Sequence, residues 1–306
     1  MIRFLSHREI DKNRWDECID QSTEALVYAN SWYLDLVSPN WNALVADDYT
    51  AVFPLTWRKK FSFNYLFQPI FTQQLGLFIS KENPENNLGN FLNKIPESYK
   101  LIEVQVNQFN SSFPVPKPFR SSKRFTYVLN LSSDSDTLKQ NISSNTRRNI
   151  QKFEKSGMSI IRNPNIDEIV KLFRMNTGKE VSNFSNLDYA IFGSLCSEAK
   201  RRNLITTVGA TDSNRKLQAG IVFLHTHSGF ILLFSGVSTE GKSTGAMSAM
   251  ISSFIMEHAG TERTLDFEGS MDPGLARFYK SFGSSEVVYL QIRNNRLPAP
   301  IRWLKN

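Results

Sequence analysis

The stretch Gly236-Val-Ser-Thr-Glu-Gly241-Lys242-Ser243-Thr244-Gly245-Ala246 decides how the rest of the chain is read. Its first eight residues fit the pattern G-x-x-x-x-G-K-[ST], in which a glycine-rich turn offers backbone N–H groups to phosphate oxygens. A β-rich run at 230–235 precedes it and an apolar helical pattern at about 243–258 follows. The segment is therefore expected to join a strand to a helix start. Such a turn exposes N–H groups and the positive end of a helix dipole, and Lys242 adds charge. Residues Gly241, Lys242, Ser243, Thr244, Gly245 and Ala246 are the expected seat of an anionic cofactor.

The sheet around the motif decides what kind. Three β-rich runs, at 204–210, 217–226 and 230–235, are separated only by residues 212–216 and 227–229. Parallel neighbours need crossovers of a dozen residues or more, so these strands are antiparallel. A phosphate-loop nucleotide hydrolase builds a parallel sheet, and only 63 residues follow Ser243. Nucleotide hydrolysis is the least favoured reading, whereas the anion-binding physics of the turn is retained.

The second half then reads as a long basic helix ending at Gly157, a strand at 158–162, helices at about 166–176 and 187–202, and the three antiparallel strands. A helix, a strand at 264–267, a helix capped by Asp272 with Pro273 at its first turn and closed by Gly283, and a strand at 287–293 complete it. The first half opens with helices at 9–20 and 32–37. Asp47 and Asp48 sit at the turn of a hairpin over 41–46 and 50–57. Apolar runs at 61–67 and 75–79, a short helix at 88–94 and strands at 101–106 and 125–131 follow. The polar run Ser132-Ser133-Asp134-Ser135-Asp136 marks the boundary between an N-terminal domain, 1–133, and a C-terminal domain, 134–306.

Composition narrows the class. Hydrophobic residues are 41% and charged residues 21% of 306, a globular balance. No run approaches the 18 or more apolar residues of a membrane span, and the N-terminus lacks the apolar core of a signal peptide. Two isolated cysteines, Cys18 and Cys196, form neither a disulfide framework nor a metal motif. A cytoplasmic location is expected. Residues 1–135 hold 14 basic and 14 acidic side chains, so the whole net charge of +7 lies beyond them. That field favours an anionic partner. Arg147, Arg148 and Lys152, with Lys155, lie on neighbouring turns of the basic helix and are the candidate anion or substrate grip.

The second half resembles the N-acetyltransferase (GNAT) superfamily. Lys242-Ser-Thr-Gly245-Ala246 matches part of that superfamily's pyrophosphate-binding pattern, and Tyr279 stands four residues before Gly283, as in its later helix. A narrower likeness runs over most of the chain. Ser144-Asn-Thr-Arg147-Arg148-Asn149-Ile-Gln-Lys152, Asp266-Phe-Glu-Gly269-Ser270 and Phe278 to Gly283 resemble the two-domain, Fem-type peptidoglycan aminoacyltransferases. The resemblance implies an α+β fold of two tandem GNAT-like domains, each a mixed, mostly antiparallel sheet flanked by helices. It implies acyl transfer to an amine, from acetyl-CoA or another acyl-CoA, or from aminoacyl-tRNA as Fem enzymes use. The acceptor is then a small or nucleotide-linked amine such as a cell-wall precursor, and tRNA a partner. Where Fem enzymes carry a Phe-Lys pair, this chain has Phe278-Tyr279.

Acyl transfer needs a base for the amine, donors for the oxyanion and an acid for the leaving group. Tyr279 is the candidate acid and Glu268, at a strand end, the candidate base or amine-binding group. Asp266 shares the strand face with Glu268, so one of the two is expected to be structural. His225 and His227 are placed on one strand face but lack a third ligand, and no metal is expected. The rival to an enzyme is a degenerate GNAT-type module that binds an anion or a partner without turnover.

Overall fold

The computed structural model describes residues 1–176, 184–269 and 271–298. The chain forms two compact units, Met1–Arg124 with Val288–Asn306, and Phe125–Val287.

The first unit starts with β1 (Ile2–Leu5), α1 (Lys12–Gln21) and α2 (Ser31–Val37). The Asp11 carboxylate accepts the N–H groups of Asn13 and Arg14, which fixes the start of α1. Strands β2 (Asn42–Ala46) and β3 (Ala51–Leu55) make the hairpin expected around Asp47 and Asp48. After them come β4 (Trp57–Lys60), β5 (Phe63–Leu66), the two-residue β6 (Phe78–Ile79), α3 (Leu88–Asn93) and β7 (Tyr99–Val106). One sheet has the order β1-β2-β3-β6. A second layer pairs β4 with β5 antiparallel and β5 with β7 in parallel. Phe53, Phe78, Phe91, Trp15 and Trp41 are fully buried in this unit. Strand β8 (Arg120–Asn130) then carries the chain into the second unit.

The second unit continues with α4 (Ser135–Asn141), α5 (Ser144–Glu154), β9 (Ser159–Arg162), α6 (Ile166–Met175) and α7 (Asn186–Arg201). Next come β10 (Ile205–Thr211), β11 (Leu217–His225), β12 (Gly229–Val237), α8 (Thr239–Thr244) and α9 (Ala246–Glu257). The last elements are β13 (Thr264–Asp266), α10 (Pro273–Lys280) and β14 (Ser285–Asn295), whose end returns to the first unit and pairs with β7. The strand order is β8-β13-β12-β11-β10-β9. All pairs are antiparallel except β12 with β13. The short linkers read in the sequence thus make the antiparallel trio β10-β11-β12. Alternate residues of these strands face opposite layers. Phe223 stacks on Phe254 of α9 at 3.8 Å on one side. On the other, Phe234 packs at 4.7 Å from Phe173 of α6 and 4.5 Å from Phe192 of α7. Burial of these large rings is the main favourable term holding both helical layers to the sheet.

The basic helix is α5, which starts just after Ser143, whose hydroxyl caps it by accepting the Thr146 N–H at 3.3 Å; the separate α4 precedes it. Two local expectations change. The helix expected at 243–258 starts earlier, at Thr239, and is broken by Gly245 at φ +80°. His227 lies in the turn after β11, so it does not share a strand face with His225. Ser270 lies outside the described residues.

Candidate functional site

Strands β12 and β13 pair in parallel over three positions only, from Gly229 with Thr264 to Ile231 with Asp266. Beyond that point β12 runs on to Val237, while the chain after β13 stays with β8. The Phe267 N–H donates to the Tyr127 carbonyl at 2.9 Å, and the Gly269 N–H to the Thr126 hydroxyl at 2.9 Å. The two strands therefore part like a wedge, and the residues at its edge are Asp266, Phe267 and Glu268.

Asp266 organises this edge. It accepts the Thr126 hydroxyl at 2.5 Å and the Glu268 N–H at 2.8 Å. Removal from water pushes its carboxyl up to about 6, against the pull of those two donors. Glu268 sits at φ +49°, a left-handed backbone that non-glycine residues avoid. The Asp266 carboxylate stabilises that turn by holding its N–H. The Asp266 bonds to Thr126 and to the Glu268 N–H thus hold the backbone turn at Glu268.

Tyr279 comes to the same place from α10. Asp272 starts that helix by accepting the N–H groups of Gly274 and Leu275, both at 2.8 Å. The Tyr279 ring stacks on Phe267 at 5.1 Å and is half-buried. Burial, then the negative charges of Glu268 and Asp266, push its phenol up to about 12. The structure thus brings Tyr279, Glu268 and Asp266 within electrostatic reach. The next residue, Lys280, pairs with Glu286 at 2.9 Å rather than with either wedge carboxylate.

The glycine motif forms the short helix α8, capped by Ser238 and closed by Gly245. The Gly241 N–H donates to the Ser238 hydroxyl at 2.9 Å, the Lys242 N–H to the Ser238 carbonyl at 2.9 Å, and the Gly245 N–H to the Lys242 carbonyl at 3.4 Å. Gly241 is small because a Cβ there would meet the Gln218 carbonyl oxygen of β11 at 2.4 Å. At Gly245, a Cβ would meet the Asn149 carbonyl oxygen of α5 at 2.4 Å. Close packing by itself requires glycine at both positions. Ser243 and Thr244 hydroxyls both donate to the Glu240 carbonyl, and Lys242 is exposed. Ala246 is buried at the start of α9, whose N-cap Gly245 has no side chain to satisfy the opening N–H groups.

Helix α5 touches both regions. The Ser143 N–H donates to the Ser281 carbonyl at 2.8 Å and the Thr146 hydroxyl to the Ser281 hydroxyl at 2.7 Å, which ties α5 to the end of the Tyr279 helix. Its other contact is Asn149 against Gly245. Arg147, Arg148 and Lys152 are exposed on α5 and have no ion-pair partner among the described residues. Arg147 and Lys139 also rim a cleft of about 510 Å³ between α5 and α9, floored by Ile150, Phe153 and Ala249. Thr126 and Asn149 are site residues that sequence reasoning missed. Each acts across more than ninety positions, and no local pattern announces such a contact. No group of three or more potential metal ligands occurs among the described residues. No helix among them is long and apolar enough to cross a membrane.

No protein-family model matches the chain, and no curated protein matches it. Solved structures do. The crystal structure of FemX is 13% identical, with 97% of this chain and 98% of that one covered at a TM-score of 0.66. A conserved protein of unknown function from Bacteroides thetaiotaomicron is 14% identical, covering 96% and 99% at 0.62. The C-terminal domain of a putative lysylphosphatidylglycerol synthetase from Agrobacterium fabrum is 11% identical, covering 94% of each chain at 0.59. The chain has the fold of FemX, an α+β architecture of mostly antiparallel sheets flanked by helices.

Proposed function

We propose that this chain transfers an acyl group, in the form of an aminoacyl group from aminoacyl-tRNA, to an amine acceptor of the cell-wall or sugar-nucleotide precursor kind. The chemistry is assigned to the C-terminal domain expected over 134–306. The observation that supports this most directly is the convergence of Glu268, Asp266 and Tyr279 where β12 and β13 part.

Glu268 takes the proton of the attacking ammonium, and the free amine adds to the donor carbonyl. The tetrahedral intermediate then collapses with loss of the donor oxygen or sulfur, which takes up the Tyr279 proton, while the nitrogen gives its second proton back to the Tyr279 phenolate. Tyr279 suits one donor better than the other. A phenol held at about 12 is a poor proton source for a thiolate, whose thiol titrates near 8–9. It gives a proton readily to the far more basic alkoxide released from an ester, as in aminoacyl-tRNA. The helix α5 cations Arg147, Arg148 and Lys152 favour the same choice, being an exposed row suited to a polyanion. Acetyl-CoA on Gly241–Ala246 is the second donor to be tested.

The test is single-turnover transfer from labelled aminoacyl-tRNA and, separately, from labelled acetyl-CoA to a panel of amine acceptors. Transfer from the tRNA ester, lost in Glu268→Gln and Tyr279→Phe proteins of normal stability, is the expected result. Transfer from acetyl-CoA alone would reassign the donor. No transfer, with a thermal shift on ligand addition, would favour the non-catalytic binding module.

A further inference from the structure

The hairpin of β4 and β5 has no part in the chemistry proposed above. Its sequence, Trp57-Arg58-Lys59-Lys60-Phe61-Ser62-Phe63-Asn64-Tyr65-Leu66, holds three consecutive cations followed by an aromatic tip. The register pairs Arg58 with Tyr65 and Lys60 with Phe63, so Phe61 and Ser62 alone form the turn. Both have positive φ, +48° and +71°, the geometry of a tight two-residue hairpin turn. Asn and Gly fill such positions at little cost, whereas Phe is strained there. A bulky ring in this conformation is held out from the fold, and Phe61 is 85% exposed.

The charge around it is one-sided. Arg58, Lys59 and Lys60 are exposed and have no ion-pair partner among the described residues. No acidic residue occurs between Asp48 and Glu82. The Lys60 ammonium lies 5.5 Å from the Phe61 ring centre, so cation and ring share one end of the ribbon. Strand β4 is the outermost of its layer, which leaves the ribbon accessible along its outer side.

We propose that this hairpin docks the protein onto an anionic phospholipid surface, the Phe61 ring entering the headgroup region while Arg58, Lys59 and Lys60 meet lipid phosphates. An isolated ring at the extreme tip, flanked by cations at its base, matches the two depths of such an interface. Single-stranded RNA fits less well, because it needs open ring faces along the ribbon and Arg58 already covers Phe67 at 4.2 Å. The proposal stands on the first unit and does not rest on the acyl-transfer reading.

The experiment is co-sedimentation of the full chain with sucrose-loaded vesicles of phosphatidylcholine alone, or of two parts phosphatidylcholine to one part phosphatidylglycerol. The expected result is binding to the anionic vesicles only, weakened by salt. Partition falls roughly fivefold for each of Lys59 and Lys60 changed to Ala, and about tenfold for Phe61→Ala. Phe61→Asn keeps the fold, since Asn tolerates the turn, so its loss of binding at an undiminished melting temperature separates docking from stability. Equal binding to both vesicle types, or unchanged binding by Phe61→Asn, would overturn the proposal. So would a single-stranded RNA oligonucleotide whose affinity, unlike that of vesicles, depends on these four residues.

Discussion

The Thr126 hydroxyl donates to Asp266 across 2.5 Å while accepting the N–H of Gly269, and so one side chain of β8 fixes both ends of the turn that carries Glu268. Thr126 is buried, at 1% exposure. Thr126→Val keeps the shape and removes both bonds, leaving a carboxylate and an N–H short of partners. The expected loss is about 1–3 kcal/mol by urea denaturation, together with a fall in single-turnover rate through misplacement of Glu268. A rate unchanged in the folded variant would separate this turn from the chemistry.

Asp266 also sets a pH dependence whose sign is clear. Its folded carboxyl holds a proton up to about 6, against 3.8 when unperturbed. The folded state binds that proton more tightly than the unfolded chain, so the stabilising contribution is full below pH 3.8 and is lost as pH rises through about 6. Keeping the group charged above that pH costs on the order of 3 kcal/mol. Asp266→Asn retains an acceptor for Thr126 and is expected to raise stability at pH 7.5. Its advantage disappears at pH 4, and a pH series of denaturant midpoints measures it.

Two histidines act in the opposite direction. His225 and His258 lie against the Phe230 ring at 5.2 and 4.3 Å. Burial, and the nearby Arg263 charge, lower the proton affinity of His225; burial chiefly lowers that of His258. A depressed folded-state affinity gives stability that is present above the unfolded value near 6.5 and lost as pH falls below it. The melting temperature of the parent relative to that of His258→Gln should therefore fall between pH 7 and pH 5. Identical slopes would show that His258 is not among the groups responsible.

Gly245 and Gly157 offer a paired test of packing against backbone conformation. Both have positive φ, +80° and +76°, but a Cβ at Gly157 meets nothing within 4 Å whereas one at Gly245 meets the Asn149 carbonyl oxygen. Gly157→Ala is expected to cost about 1–2 kcal/mol from backbone strain alone. Gly245→Ala should cost more, because α5 must also move. Equal costs by denaturation would mean that α5 yields freely at this point.

The α5 cations give a binding prediction. Changing Arg147, Arg148 and Lys152 to Gln should weaken donor-tRNA binding and flatten its dependence on salt, by about 0.7–0.9 in log–log slope for each phosphate that is no longer neutralised. Filter binding at several salt concentrations measures this. A slope that does not change places the polyanion elsewhere.

The sequence by itself determined what short-range physics controls. Linkers too short for crossovers made β10, β11 and β12 antiparallel, and Asp272 with Pro273 began α10 as read. The one-sided charge and the alignment of Asp266, Glu268 and Tyr279 with a family pattern were also legible, because each lies in a single local segment. Only the tertiary structure shows what packs against the glycine motif. Gly241 and Gly245 are small because Gln218 and Asn149 press on them from other elements. It alone showed that Asp266 is bonded to Thr126, which stands 140 residues away. Periodicity and spacing report which face of an element is apolar. They do not report which atom of a distant strand arrives to satisfy a buried group, and here that atom is the Thr126 hydroxyl, brought to Asp266 by the pairing of β8 with β13.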